Sequence, residues 1–275
     1  MSLLSTRRIF RIVGVGLLLL LMFAMAFPFL YLLKLSIQPQ ADIFEVPIRF
    51  WPTGIVWGNY IEVLGLFPLL AQLLNSVYYA VTTSVLTVLT AAFASYALAK
   101  LNLPGGRALI LFFIATMLLP PEIRAIPMYT MMAVFGWVDT WNGMIIPLAA
   151  TGFAIFFIYQ YMITLPDELL EAARIDGASE SRILISLVLP LAKTAIATMG
   201  LYNFLFRWRG FIWPLVMTRG NVTTLSVGLS ALKTGEELMQ WNLIGAATMF
   251  LFIPSLLLFI LFRNFILRAV AINLK

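Results

Sequence analysis

The chain alternates long apolar runs with short polar interruptions. Runs at about 12–33, 69–98, 141–163, 194–217 and 242–261 are each long enough to cross a hydrocarbon core of roughly 30 Å at about 1.5 Å per helical residue. A shorter run at about 108–119 is expected to continue past Pro120-Pro121 towards Tyr129 as a broken or kinked helix, because proline lacks an N–H and crowds the preceding turn. The pattern predicts an all-α membrane protein with six transmembrane helices.

The interruptions carry their own signals. Residues 36–67 hold Pro39, Pro47, Pro52, Gly54 and Gly58, which predict a loop with short pieces of structure. Pro104-Gly105-Gly106 predicts a tight turn. Asp139 or Thr140 can cap the fourth span, and Asn75-Ser76 place polar groups near the outer end of the second. Three segments follow: 1–68 with the first helix and a loop, 69–268 with the other five helices, and 269–275 as a tail. At the amino end Arg7, Arg8 and Arg11 precede the first run, and Ala24-Met25-Ala26 has the form of a cleavage site. The run continues through Phe27-Pro28-Phe29-Leu30-Tyr31 without turning polar, which favours an uncleaved anchor over a signal peptide.

The interruption at 165–190, between the fourth and fifth spans, reads as two short helices joined by a turn. Pro166 suits a first helical position, and Asp167 and Glu168 place negative charge at the positive end of the helix dipole. Gly177 is suited to end that helix with a positive φ before Ser179 caps the next. On these grounds alone the stretch could be an ordinary hairpin on the water side of the membrane.

Composition narrows the class. Of 275 residues, 62% are hydrophobic and 11% charged, too apolar for a water-soluble domain of this size. The sequence pI of about 9.7 comes from cations scattered at the ends of apolar runs, a topology signal and no nucleic-acid footprint. Without cysteine or histidine, disulfides, thiolate nucleophiles and His-ligated metals are excluded. No phosphate-loop motif is present, so ATP chemistry must reside in another chain. Eleven Lys and Arg lie at the amino end (Arg7, Arg8, Arg11), the next turn (Lys100, Arg107), 165–190 and its edge (Arg174, Arg182, Lys193) and the carboxyl end (Arg263, Arg268, Lys275). The opposite loops hold five: Lys34, Arg49, Arg124, Arg219 and Lys233. The positive-inside rule then puts both termini and 165–190 in the cytoplasm.

The letters of that stretch add more. Glu171-Ala172-Ala173, Asp176-Gly177-Ala178 and Leu187-Val188-Leu189-Pro190 resemble the cytoplasmic signature loop of importer-type ABC permeases, with Leu187 in place of an isoleucine. The preceding Leu165-Pro166 and Glu168-Leu169 look like the carbohydrate branch, the family of the smaller maltose-type permease subunit. Ser95 to Arg107 and Phe50-Trp51-Pro52 are also close to that family. The resemblance implies that Glu171, Ala172, Ala173, Arg174, Asp176, Gly177, Leu189 and Pro190 belong to a coupling helix docking on an ATPase, with Glu171 and Arg174 as its charged contacts. It also implies a dimer of that ATPase binding ATP and Mg2+, a second permease subunit, an extracytoplasmic solute-binding protein, and a bacterial inner (plasma) membrane location, with no cofactor in this chain. The solute would be a sugar or sugar-like molecule, or a glycerol-phosphate or other anionic polyol.

Arg207, Trp208, Arg209, Phe211 and Trp213 are expected along the substrate path. Where the resembled family usually has asparagine and an acid, this chain has Arg209 and Gly210, which leaves the solute open. An arginine at bilayer depth is costly unless it reaches water, pairs with a carboxylate of a partner permease, or lines the path. The three roles stay open on sequence alone, while Glu122 and Arg124 are expected as solvated loop charges. An ATP-independent secondary transporter lacks an acid within any span, and a membrane enzyme lacks a nucleophile with its base.

Overall fold

The computed structural model describes residues 3–47, 49–66, 68–231 and 240–272; side chains at 3–10, 231 and 263–272 also lie outside the description. The counted cations Arg7, Arg8, Lys233, Arg263, Arg268 and Lys275, part of the outer loop 218–241 and the end of the tail 269–275 fall there. The elements are α1 (Leu3–Ile37), α2 (Gly58–Leu66), α3 (Leu69–Lys100), α4 (Gly106–Met117), α5 (Pro121–Val134), α6 (Trp141–Ile145) and α7 (Gly152–Met162). They continue with α8 (Asp167–Ile175), α9 (Glu180–Ile183), α10 (Leu189–Leu191), α11 (Lys193–Trp208), α12 (Ile212–Met217), α13 (Leu225–Ala231) and α14 (Trp241–Ile272). No strand occurs among the described residues.

Three stretches, Arg11–Ile37, Leu69–Lys100 and Trp241–Phe262, are long and apolar enough to cross a membrane singly. Three bent pairs pass together: α4 with α5 at 104°, Trp141–Leu148 with α7 at 40°, and Glu180–Leu191 with α11 at 77°. Counted as one span each, they complete the expected six. The third span departs from a simple kink, since α5 turns through more than a right angle after Leu118, Leu119 and Pro120. The fifth is shorter than the apolar run suggested. α11 stops at Trp208, Arg209 to Phe211 break it, and α12 restarts with Pro214 in its first turn, where a missing N–H costs nothing.

Each of two compact units has its own polar fastening. In the unit of 1–68 with 229–253, Asn59 donates from Nδ2 to the carbonyls of Ser36 (3.0 Å) and Gln38 (3.1 Å) and accepts from Asn242 Nδ2 (3.0 Å). Gly245 lies so close to α1 that a Cβ would stand 2.9 Å from the Ser36 nitrogen. The rest of α1 from Ile12 to Leu33 exposes apolar side chains, a surface suited to lipid or another apolar helix.

In the unit of 69–228 with 254–275, α3 packs on α7 and α11 through small buried residues, Ala80, Thr83, Ser84, Thr87, Ala91, Ala92 and Ser95. The break at Pro147 frees carbonyls from the helical ladder, and α3 supplies donors: Thr87 Oγ1 to Leu148 O (3.0 Å) and Thr90 Oγ1 to Ala149 O. Ser95 Oγ adds a bond to Ile155 O (2.7 Å). Asn75 Nδ2 reaches Thr223 O (3.0 Å), and Ser76 Oγ accepts from the Leu225 N–H (2.8 Å), so this polar pair holds the loop after α12. Of the two expected caps, Thr140 takes the role by accepting from the Gly143 N–H (3.3 Å). Asp139, at φ 58°, turns its carboxylate to the N–H groups of Arg219 (2.9 Å), Asn221 (3.2 Å) and Val222 (3.4 Å) and to Asn221 Nδ2 (2.8 Å).

Burial works to raise the pKa of Asp139, but the N–H donors of Arg219, Asn221 and Val222 outweigh it and hold the pKa below the ordinary value. A folded pKa below the unfolded one adds stability that is complete above about pH 4 and drains away as pH falls through the folded value. Asp139→Asn is therefore expected to lower the melting temperature at pH 7 in detergent, with the gap to the parent closing towards pH 3. A gap equal at both pH values would contradict the assignment. A Cβ on Gly152 would stand 2.3 Å from the Phe113 carbonyl and 2.4 Å from Thr116 Oγ1, so Gly152→Ala should destabilise by about 1–3 kcal/mol in the same assay.

Candidate functional site

The stretch 165–190 folds as the expected pair of helices with a one-residue offset: Pro166 is the cap and Asp167 the first helical residue of α8. Gly177, at φ 80°, ends α8 in a Schellman motif, its own N–H bonding Arg174 O and the Ala178 N–H bonding Ala173 O, both at 3.0 Å. Ser179 occupies the next cap position in extended conformation, but its hydroxyl pairs with Ser181 Oγ (3.2 Å) and caps nothing. Leu184–Val188 then widens into a π turn, with the Leu189 N–H reaching Leu184 O, ahead of Pro190, whose missing N–H disfavours the regular ladder.

One face of α8 is fixed and the other is free. Leu170 is fully buried and Ala173 half-buried, packed with Met162, Ile183, Leu184 and Val188. Leu187 and Leu189 pack against the same core, and Pro190 is exposed. On the outer side Glu171, Ala172 and Asp176 are exposed beside two large apolar residues, Leu169 at 45% and Ile175 at 87% exposure. Exposed apolar side chains bordered by acids are a composition common at protein interfaces.

A chain of polar contacts fastens this element to α3. Lys100, almost buried, donates from Nζ to Leu165 O (2.7 Å) and Asp167 Oδ1 (2.6 Å). The Tyr96 hydroxyl donates to Glu180 Oε2, while Arg174 Nε donates to Glu180 Oε1 (2.8 Å) and its Nη2 reaches Lys100 O (3.5 Å). The Glu180 bond raises the Arg174 pKa above its ordinary value. Arg174 is thus engaged inside the chain, as a strut between α8 and α9, while Glu171 and Asp176 are exposed charges of the motif.

About 20 residues back along α3 from Lys100, and so about 30 Å away along the helix, a cavity of about 400 Å³ opens beside Tyr79. Tyr79, Arg124, Phe153, Asn203, Arg207 and Trp213 are among its lining. The structure brings Arg207, Phe211 and Trp213 of the expected path to this cavity and leaves the other two aside. Trp208 is buried but outside the lining, and Arg209 is exposed, its Nε near Leu205 O (3.4 Å). Trp213 is held by a bond from Nε1 to Met144 O (3.2 Å). Arg207 is 9% exposed and hydrogen-bonded to Tyr79. Arg124, expected as a solvated loop charge, also lines the cavity, because the sharp turn into α5 folds it back. Among the described residues neither guanidinium forms an ion pair, and the Nε of each is buried without a partner. No group of acids that could hold a metal ion occurs among the described residues.

Glu180→Ala removes the acceptor shared by Tyr96 and Arg174. Its expected effect is roughly tenfold faster hydrogen exchange in the α8 amides, with the cavity-end helices unchanged. Unchanged exchange in α8 would show that the contacts do not hold it.

The family described as binding-protein-dependent transport system inner membrane component matches residues 1–272. The chain is 32% identical over 235 residues to the sn-glycerol-3-phosphate transport system permease protein UgpE of Pectobacterium atrosepticum, covering 82% of this chain and 84% of the relative. The protein of the same name from Salmonella typhimurium is 31% identical over 235 residues, covering 82% and 83%. A solved bacterial ABC transporter involved in the import of the acidic polysaccharide alginate contains a chain of similar fold, with a TM-score of 0.85 and 26% identity over 96% of this chain and 98% of that one. With the broken membrane-crossing helices and the two-helix loop already in place, these likenesses show that the chain belongs to the inner membrane components of binding-protein-dependent ABC importers, a transport subunit and not an enzyme.

Proposed function

We propose that this chain is one of two membrane-spanning subunits that carry a sugar or sugar-like solute, glycerol- and sugar-phosphates included, through alternating access. The observation that carries the coupling is α8, rigidly backed by Leu170 and Ala173 and exposing Leu169, Glu171, Ala172, Ile175 and Asp176 outward. Such a face fits a cleft with an apolar floor and a charged rim on a separate ATPase, which in two copies binds ATP and Mg2+. Closure of the ATPases on ATP then shifts α8, and the struts through Lys100, Arg174 and Glu180 pass the shift to α3 as a rigid-body movement. Residues 69–268 form the transporting domain. Both termini and 165–190 face the cytoplasm, by the distribution of Lys and Arg, and the loop after α12 faces an extracytoplasmic solute-binding protein. The solute class follows from the relatives, permeases named for sn-glycerol 3-phosphate and a transporter for an acidic polysaccharide.

Glu171→Lys should leave membrane insertion and melting close to the parent while the ATPase no longer copurifies and uptake falls by about tenfold or more, as expected on reversing a docking charge. The check is ATP-dependent uptake alongside pull-down of the ATPase. Normal uptake by this variant would show that α8 is not the docking element.

A further inference from the structure

We propose that Arg124 and Arg207 of this chain hold the anionic group of the solute, a phosphate monoester or a carboxylate, inside the cavity between α3, α5, α7 and α11. The inference rests on the importer reading and assigns to this subunit a solute-binding role of its own.

Arg207 is nine-tenths buried on the last turn of α11, and its Nε–H has no acceptor. Arg124, from the first turns of α5, lines the same cavity and has the same unpaired Nε. The Phe206 ring faces the Arg207 guanidinium at 5.4 Å, but two positive charges lining one cavity walled by Phe153, Tyr202, Phe206, Phe211 and Trp213 remain unfavourable unless a negative group sits with them. Glu122 also lines the cavity but pairs with neither arginine, so one positive charge remains in excess.

The backbone adds to this field. The first residues of α5 (Pro121, Glu122) and of α7 (Gly152, Phe153, after the cap Thr151) belong to the lining, so two helices of 14 and 11 residues begin at the cavity with their positive dipole ends. Helices broken within a membrane commonly turn such ends towards anionic substrate groups. A guanidinium presents Nε–H and a terminal N–H as a fork matched to two oxygens of a phosphate or carboxylate. Tyr79, bonded to Arg207, holds that fork from the α3 side, and Asn203 stands one turn before it on α11. The volume of about 400 Å³ admits a small polyhydroxylated anion or one residue of an acidic sugar chain.

An anionic lipid headgroup or a carboxylate of the second permease offers the same chemistry, and the experiment separates these sources. The complete importer, purified with its partner subunits, is placed in phosphatidylcholine nanodiscs and titrated with sn-glycerol 3-phosphate, glucuronate and glycerol. The two anions are expected to bind and glycerol not. Arg124→Gln or Arg207→Gln should weaken anion binding by about tenfold or more, the loss expected for a charged hydrogen-bonding partner. Arg207→Lys should recover part of it, and Arg107→Gln, the same charge change on an exposed residue, should not weaken it. Equal binding by parent and Gln variants overturns the proposal. So does loss of the second permease from the Gln variants, which would assign the arginines to a subunit ion pair, and so does abolition of binding by phosphatidylglycerol, which would assign them to lipid. Coupled ATP hydrolysis and uptake that persist in any of these cases leave the importer reading standing; their absence in the parent complex would overturn that reading instead.

Discussion

The breaks in this fold answer to the cost of leaving a backbone polar group without a partner in an apolar setting. The chain breaks its helices at Pro120, Pro147 and around Pro190, and each break frees carbonyls or N–H groups in an apolar setting. Thr87 and Thr90 close the break at Pro147, and the π turn at Leu184–Val188 absorbs the one before Pro190. Asn59 gathers carbonyls from the end of α1 in the same way. Among the buried side-chain polar atoms left without a partner in the described residues, the Nε groups of Arg124 and Arg207 are the two that belong to cations, and both residues line the same cavity.

The same economy explains how a short amphipathic element is held in place. α8 has too few residues to be stable by itself, and its Schellman end, the Leu170 anchor and the Lys100 bonds supply what propensity does not. Because Tyr96 and Lys100 sit on the continuous 32-residue α3, which also carries Tyr79 in the cavity wall, one unbroken helix links α8 to the cavity. The exposed ion pair of Arg174 with Glu180 adds little stability alone, but it fixes the angle between α8 and α9.

Much of this was legible in the sequence, because apolar run length and proline position are direct readings of bilayer physics. The spans at 69–98 and 242–261, the broken third span, the glycine turn at Gly177 and the helix pair in 165–190 follow from residues whose local chemistry permits few alternatives. What escaped depended on direction. A 104° turn after Pro120 cannot be told from a kink by composition, so Arg124 read as a loop charge and not as part of a cavity wall. The apolar run at 194–217 hid the break at Arg209 to Phe211; Gly210 and Pro214 were the available signal. Arg174 shows the limit of a motif, which marks a residue as important without saying whether it faces a partner or its own chain.

We propose that this chain transports only as a member of an assembly, driven through the outer face of α8. This dependence is tested most directly by purifying the chain from its native membrane in mild detergent and weighing the intact complex by native mass spectrometry. The complex is expected to hold two ATPase copies and a second permease subunit for each copy of this chain, or two copies of this chain where it pairs with itself. Recovery of the chain alone from several detergents, together with uptake by the chain reconstituted alone without ATP, would contradict it.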